Sequence, residues 1–193
     1  MMQMSAIERP TLGHPPIGPR IADFAPVQPT EFRLAMRNLA SGVAIVATGA
    51  GHFRRGLTVS SVTSVCNAPP CLLVGINTTS ETHDLILANG CFGVSLLQEG
   101  QEQLARRFAG AGGIAGADRF ESAPWDQGLT GAPLLATAIC GIDCVLHQHH
   151  VVGSHGLFIG RIVATQSRSG APIVNFQGEL RNVSTLGGVS RTP

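Results

Sequence analysis

Between Thr58 and His83 the chain reads TVSSVTSVCNAPPCLLVGINTTSETH, setting eleven Ser, Thr and Asn residues among Val, Leu and Ile. Side-chain hydroxyls, and the backbone N–H groups beside them, satisfy phosphate oxygens without a fixed positive charge. The order of the segment suits that chemistry. T-V-S-S lies on one apolar strand, a Pro-Pro turn follows, and a second apolar strand runs into N-T-T-S-E-T-H. Two hydroxyl-rich ends therefore sit beside a sheet, as a site for a phosphate-bearing cofactor requires. A Thr/Ser-rich β-hairpin has the same composition, because Thr and Val both suit strands. Spacing alone does not separate the two readings.

His147, His149, His150 and His155 invite a metal reading. On an unbroken strand His147 and His149 share a face and His150 points away. Two imidazoles do not close a site, and the nearby cysteines lack metal-knuckle spacing; no bound metal is expected. His155 differs, because in G-S-H-G it falls at a turn from which a side chain can reach a cleft. No Ser lies in a G-x-S-x-G elbow. Asp84, Glu99, Glu102 and Asp118 form no pair suited to general acid–base work. The chain lacks the parts of a hydrolase, but it can hold a cofactor that carries its own chemistry. Arg106-Arg107-Phe108 ends a predicted helix, where guanidinium groups complement the helix C-terminus. Asp118-Arg119-Phe120 reads as an exposed loop with one apolar anchor.

The elements that must position these residues come from composition and pattern. At 193 residues one domain with a proper core is expected, and 44% hydrophobic residues with a mean hydropathy of +0.21 oppose disorder. The net charge is +1, and the 13 basic residues, all Arg, are scattered, so no nucleic-acid surface is expected. No apolar run approaches the ~20 residues of a membrane helix, and the first residues lack the pattern of a secretory signal. A cytoplasmic protein is the expectation, with its five cysteines as free thiols. Cys66 and Cys71 flank N-A-P-P and could face each other across a hairpin.

Residues 1–29 form a Pro-rich tail or arm, 30–183 the folded domain, and 184–193 a C-terminal tail. Thr30 caps a predicted helix reaching Ser41, with Phe32, Ala35, Met36 and Leu39 on one face. Strands are predicted at 43–48, 53–63, 71–76, 91–97, 135–151, 156–166 and 172–177, and short helices at 82–88 and 101–108. Many strands with few, irregularly placed helices give a mainly β fold, closer to a barrel than to a βαβ sheet. No G-x-G-x-x-G opens a helix after a strand, so a Rossmann reading lacks support.

Taken in order, a set of motifs spanning about 31–181 carries a resemblance. They are A-S-G-V-A-I-V, T-V-S-S, P-P-C-L-L-V, I-N-T-T-S-E-T-H, L-A-R-R-F-A-G, D-R-F, G-A-P-L-L and G-S-H-G-L-F-I-G. The sequence resembles the flavin reductase-like family of FMN-binding split β-barrels. These are reductase components of two-component flavin monooxygenases, such as the 4-hydroxyphenylacetate type. The resemblance implies a homodimer binding FMN or FAD at the subunit interface, with NADH or NADPH as hydride donor and a flavin-dependent monooxygenase as recipient. It implies hydride passage from the nicotinamide C4 to the flavin N5. Thr58, Ser60 and Ser61 would meet the isoalloxazine edge, with Val59 between them. Asn77, Thr78, Ser80 and Thr82 would serve the ribityl and phosphate portion, with Arg107 and Phe108 nearby. His155 would lie beside the nicotinamide. The family's aromatic-aromatic-Arg-Gly-like element appears here as Asn175-Phe176-Gln177-Gly178, which removes a Tyr and an Arg. Asn175, Phe176 and Gly178 complete the implied cofactor-binding set. A non-catalytic flavin- or haem-binding carrier on the same barrel is the alternative. A pyridoxal-phosphate enzyme lacks its basic phosphate clamp here.

Overall fold

The computed structural model describes residues 24–183. The predicted arm and C-terminal tail therefore fall, apart from residues 24–29, outside the described residues. The chain divides between Met36 and Arg37. In the first unit, α1 (Pro29–Met36) is shorter than the predicted 30–41 helix and buries no residue. Glu31 accepts from the Gln28 amide at 3.3 Å, adding an acidic group to the first turn.

The second unit is built on a seven-stranded antiparallel sheet. Its strands are β2 (Ala44–Thr48), β3 (Arg55–Val59), β4 (Val62–Asn67), β5 (Pro70–Asn77), β6 (Cys91–Leu96), β9 (Cys140–Val152) and β10 (His155–Ser167). Their order is β3-β2-β6-β9-β10-β5-β4, so β3 and β4 are opposite edges. Only Ser60 and Ser61 join them. Two residues hold the Cα atoms of Val59 and Val62 within about 11 Å. The sheet therefore curls until the end of β3 and the start of β4 come together at Ser60–Ser61, leaving the two edge strands unpaired, as in a split barrel. The predicted continuous strand over 53–63 is corrected: the chain breaks there and changes edges.

β2 explains how the barrel carries two cores. All five of its residues are buried. Ala44 and Val46 point into the barrel with Val59, Val74, Phe92, Val94, Cys144 and Phe158, while Ile45 and Ala47 face an outer layer. An uninterrupted apolar run is what a strand covered on both faces requires. The outer layer comes from α3 (Glu102–Phe108), Phe120 and Leu135. Phe120 sits in a 3-10 turn over Gly116–Ser122 and packs on Phe108 and Trp125 at 4.9 and 4.7 Å between centroids. The D-R-F loop thus has the apolar anchor expected of it. Arg119 is more tightly held than an exposed loop residue, donating to Ile114, Gly56 and Phe108 carbonyls.

α2 (Glu81–Asn89) places Ile86 in the barrel core. It starts on Ser80, whose Oγ accepts from the Thr82 amide at 3.2 Å, and stops at Gly90 with φ 67°. A three-stranded sheet of β1 (Ser41–Gly42), β11 (Ile173–Phe176) and β12 (Glu179–Asn182) has the order β1-β11-β12. Gln177 and Gly178 join β11 to β12, both with positive φ (56° and 82°), as a two-residue hairpin turn needs. The predicted strand over 135–151 is also corrected. β8 (Pro133–Leu135) pairs with β7 (Trp125–Gln127), and β9 starts only at Cys140.

Candidate functional site

The crossing between the sheet edges is the centre of the site. The Ser61 hydroxyl donates to the Gly75 carbonyl at 2.7 Å, and the Gly75 amide returns a bond to the Ser61 carbonyl at 3.1 Å. A Cβ on Gly75 would stand 3.2 Å from Ser61 Oγ, so glycine lets the two segments close up. Thr58 turns its hydroxyl to the Ala105 carbonyl of α3 at 2.7 Å. The Ser60 hydroxyl is exposed and has no hydrogen-bond partner among the described residues. Thr58, Val59 and Ser60 line a cleft of about 250 Å³ together with Arg106, Asn175 and Gly178. Val43, Ala105, Ala109 and Leu180 complete its wall.

Beyond Gly75, β5 ends at Asn77 and the chain turns into α2. Asn77 Oδ1 accepts from both the amide and the hydroxyl of Thr79 at 2.9 Å, and the Ser80 amide donates to the Asn77 carbonyl at 3.0 Å. The Thr78 amide donates to the Ser154 carbonyl at 2.9 Å, tying this turn to the one before His155. Thr82 is buried. The first turn of α2 already carries Glu81 and Asp84, which complement its N-terminal dipole.

His155 opens β10 directly opposite Asn77 and is exposed, with Nδ1 3.0 Å from Ser154 Oγ. The next residue, Gly156, faces inward. A Cβ there would lie 2.7 Å from Nε2 of both His83 and His149, so two imidazoles fill the space behind this rung. His149 packs on Phe158 and His83 at 4.6 and 5.2 Å. Burial, then the neighbouring His83 and His150, hold its proton affinity below the ordinary imidazole range. His147 does not share its face. Gly160 pairs with Leu146 and Ile159 with Gln148, leaving His147 as a bulge residue that shifts the alternation. Among the described residues, no group of three or more His, Cys, Asp or Glu could hold a metal ion.

The two arginines of α3 do different work. Arg107 donates from Nε to the Arg119 carbonyl at 3.0 Å and from its terminal nitrogen to the Asp118 carbonyl. Arg106 is exposed and lines the cleft, and its guanidinium has no hydrogen-bond or ion-pair partner among the described residues. Phe108 is buried in the outer core, and Phe176 is half-buried without lining the cleft. Of the expected cofactor residues, Thr58, Val59, Ser60, Asn175 and Gly178 meet in the cleft. Ser61 follows Ser60 directly and bonds to Gly75, two residues before Asn77; Thr78 and Ser80 lie on the turn after Asn77 and Thr82 in the first turn of α2.

Comparison with known proteins decides the family. Residues 36–184 match the family described as flavin reductase like domain. The chain belongs to the flavin reductase-like family. It is 35% identical over 160 residues to the FMN reductase (NADH) RutF of Pseudomonas syringae pv. syringae, covering 83% of this chain and 89% of that one. It is 37% identical over 133 residues to the 4-hydroxyphenylacetate 3-monooxygenase reductase component of Salmonella typhimurium, covering 68% and 78%. The solved structure of the NADH:FAD oxidoreductase of Streptomyces globisporus C-1027 superposes with a TM-score of 0.73 at 30% identity, covering 82% and 96%. The mostly β fold with short helices is shared with these flavin reductases. Arg106, like Val43, Ala105, Ala109 and Leu180, lines the cleft without belonging to the expected cofactor-binding set, although the phase of α3, with Ala105 and Phe108 inward, already turns Arg106 out.

Proposed function

We propose that this chain uses NADH to reduce a free flavin, FMN or FAD, and releases the reduced flavin to a partner flavin-dependent monooxygenase. The convergence of Thr58, Val59, Ser60, Asn175 and Gly178 in one cleft carries this reading. Bound flavin supplies the acceptor for a hydride from the nicotinamide ring. The chain supplies binding and orientation, which suffice when the rings are held in a near-attack geometry. The free Ser60 hydroxyl and the backbone of the crossing meet the isoalloxazine edge. Asn77, Thr78, Ser80 and Thr82 lie toward the ribityl and phosphate portion. Arg106 supplies positive charge at the cleft, because Arg107 is spent on two carbonyls. His155 positions the nicotinamide. Few full charges and a hydroxyl-rich wall suit a flavin that exchanges.

A cleft of about 250 Å³ falls below the ~300–1,000 Å³ of ordinary ligand pockets. That shortfall favours completion of the site by a second copy in a homodimer. Val151 and Val152, 60% and 61% exposed, offer apolar surface for it. Residues 30–183 form the reductase domain. Among the described residues no helix is long and apolar enough to cross a membrane, and all five cysteines are free, which suits the cytoplasm.

The test is NADH consumption in air by protein stripped of bound nucleotide, with FMN, FAD or riboflavin added in turn. Consumption that requires added flavin supports the reading. Binding of flavin without any consumption would leave a carrier instead.

A further inference from the structure

We propose that Cys66 and Cys71 form a peroxide-oxidisable thiol pair that closes to a disulfide across the β4–β5 hairpin. The two residues are register partners, one rung from the turn-closing pair Asn67 and Pro70. Antiparallel partners hold their Cα atoms about 4.5–5.5 Å apart, inside the ~4.4–6.8 Å that a disulfide spans. That register sets the two thiols within reach of each other, next to the irregularity between Ser64 and Cys66. Both are free thiols, and no other two cysteines among the described residues are cross-strand partners.

Their exposures divide the labour. Cys66 is exposed on β4, an edge strand, where a small oxidant can reach it. Cys71 is 3% exposed, and burial, then the neighbouring Cys66, raises its thiol above the ordinary range, while Cys66 Sγ donates to the Pro69 carbonyl. Cys66 therefore reacts first. Its thiolate attacks one peroxide oxygen, the O–O bond breaks, and a sulfenic acid forms as the departing hydroxide takes up the proton the thiol released, giving water. Cys71 sulfur then displaces the hydroxyl as a second water. In sum two thiols and one hydrogen peroxide give one disulfide and two waters. The low thiolate fraction of Cys71 is offset by its fixed position beside the sulfenic sulfur. Cys144 cannot substitute, because burial and then Asp143 push its thiol up to about 12.

Reduced flavin that reaches air instead of a monooxygenase is reoxidised by oxygen with release of hydrogen peroxide. Only this source of oxidant rests on the proposed reductase activity; the thiol chemistry does not. The pair lies at the far end of β4 from Ser61, about 16 Å along the strand. The modification site is thus distinct from the cleft.

The experiment treats dilute, fully reduced protein with hydrogen peroxide, then counts thiols in denaturant and assigns each by differential alkylation. The five thiols should fall by two, with Cys66 and Cys71 protected from alkylation until a dithiol reductant is added. Cys66→Ser should lose no thiol beyond the one replaced. Cys66 found as sulfinic or sulfonic acid beside a free Cys71, a disulfide between two chains, or no thiol loss would each overturn the proposal. A second arm runs NADH and FMN turnover in air, with and without catalase. Closure by added peroxide but not by turnover would uphold the pair and overturn only the oxidant source.

Discussion

His155 and Asn77 oppose each other on the terminal rung of the β5–β10 ladder, and both are exposed. The rung joins two turns. One leads into the Ser80-capped helix, and the other is held to it by the Thr78–Ser154 bond. Behind it, Gly156 leaves room for His83 and His149, so the backbone of the rung is backed by packed rings. A residue proposed to touch flavin and one proposed to touch nicotinamide thus share a rigid base, which hydride transfer between stacked rings demands.

If His155 positions the nicotinamide, His155→Ala should lower kcat/KM for NADH about tenfold or more, about 1.4 kcal/mol. Flavin affinity should barely move. His147→Ala, on the bulge of β9, should have little effect on either. The check is steady-state kinetics with NADH varied, alongside a flavin titration. Equal losses at the two positions would make His155 a structural residue.

Ser60 gives a cleaner probe of the cleft than Asn77. Asn77→Ala would also open the turn held by Thr79, whereas the Ser60 hydroxyl has no hydrogen-bond partner among the described residues. Ser60→Ala should weaken flavin binding by about 0.5–1.5 kcal/mol, roughly two- to tenfold, with Tm unchanged. Fluorescence titration and thermal denaturation measure the two quantities. Unaltered flavin affinity would move the isoalloxazine away from the crossing.

Arg106 and Arg107 should separate into a binding and a stability effect. Arg107→Ala removes two charge-assisted bonds to the 118–119 carbonyls and should cost about 1.5–3 kcal/mol of stability. Arg106→Ala should leave Tm intact and weaken FMN more than uncharged riboflavin, with the difference shrinking at high salt. Loss of riboflavin and FMN affinity in equal measure would show that the Arg106 charge does not act on the phosphate.

The pH dependence of stability has a definite sign at His149. Its folded proton affinity is depressed, so the unfolded chain binds the proton more tightly. Stability from this residue is full above the ordinary value of about 6.5. It falls as pH drops through that value toward the folded one. Thermal denaturation across this range should show a decline that His149→Gln flattens. An identical decline in the variant would assign it to other groups.

Much of this was legible in the sequence, and the exceptions have physical causes. β2 was readable because a strand buried on both faces must be continuously apolar, and α2 because Ser80 and Gly90 carry its cap and stop. The break at Ser60–Ser61 was not, since T-V-S-S-V-T keeps strand propensity through it. Only the closing of the barrel, a contact between distant edges, decides where the chain leaves β3. The bulge at His147 leaves no local signature, so histidine faces counted by alternation came out wrong. The motif placed Arg107 near the flavin, but the three-dimensional loop at 118–119 claims its guanidinium.

The most direct measurement is anaerobic stopped-flow mixing of the protein and FMN with NADH, following flavin and nicotinamide absorbance together. Protein-dependent bleaching of the flavin is expected, with one flavin reduced per NADH consumed and excess free flavin reduced over successive turnovers. No bleaching, or bleaching limited to a single flavin that never leaves the protein, would contradict the account.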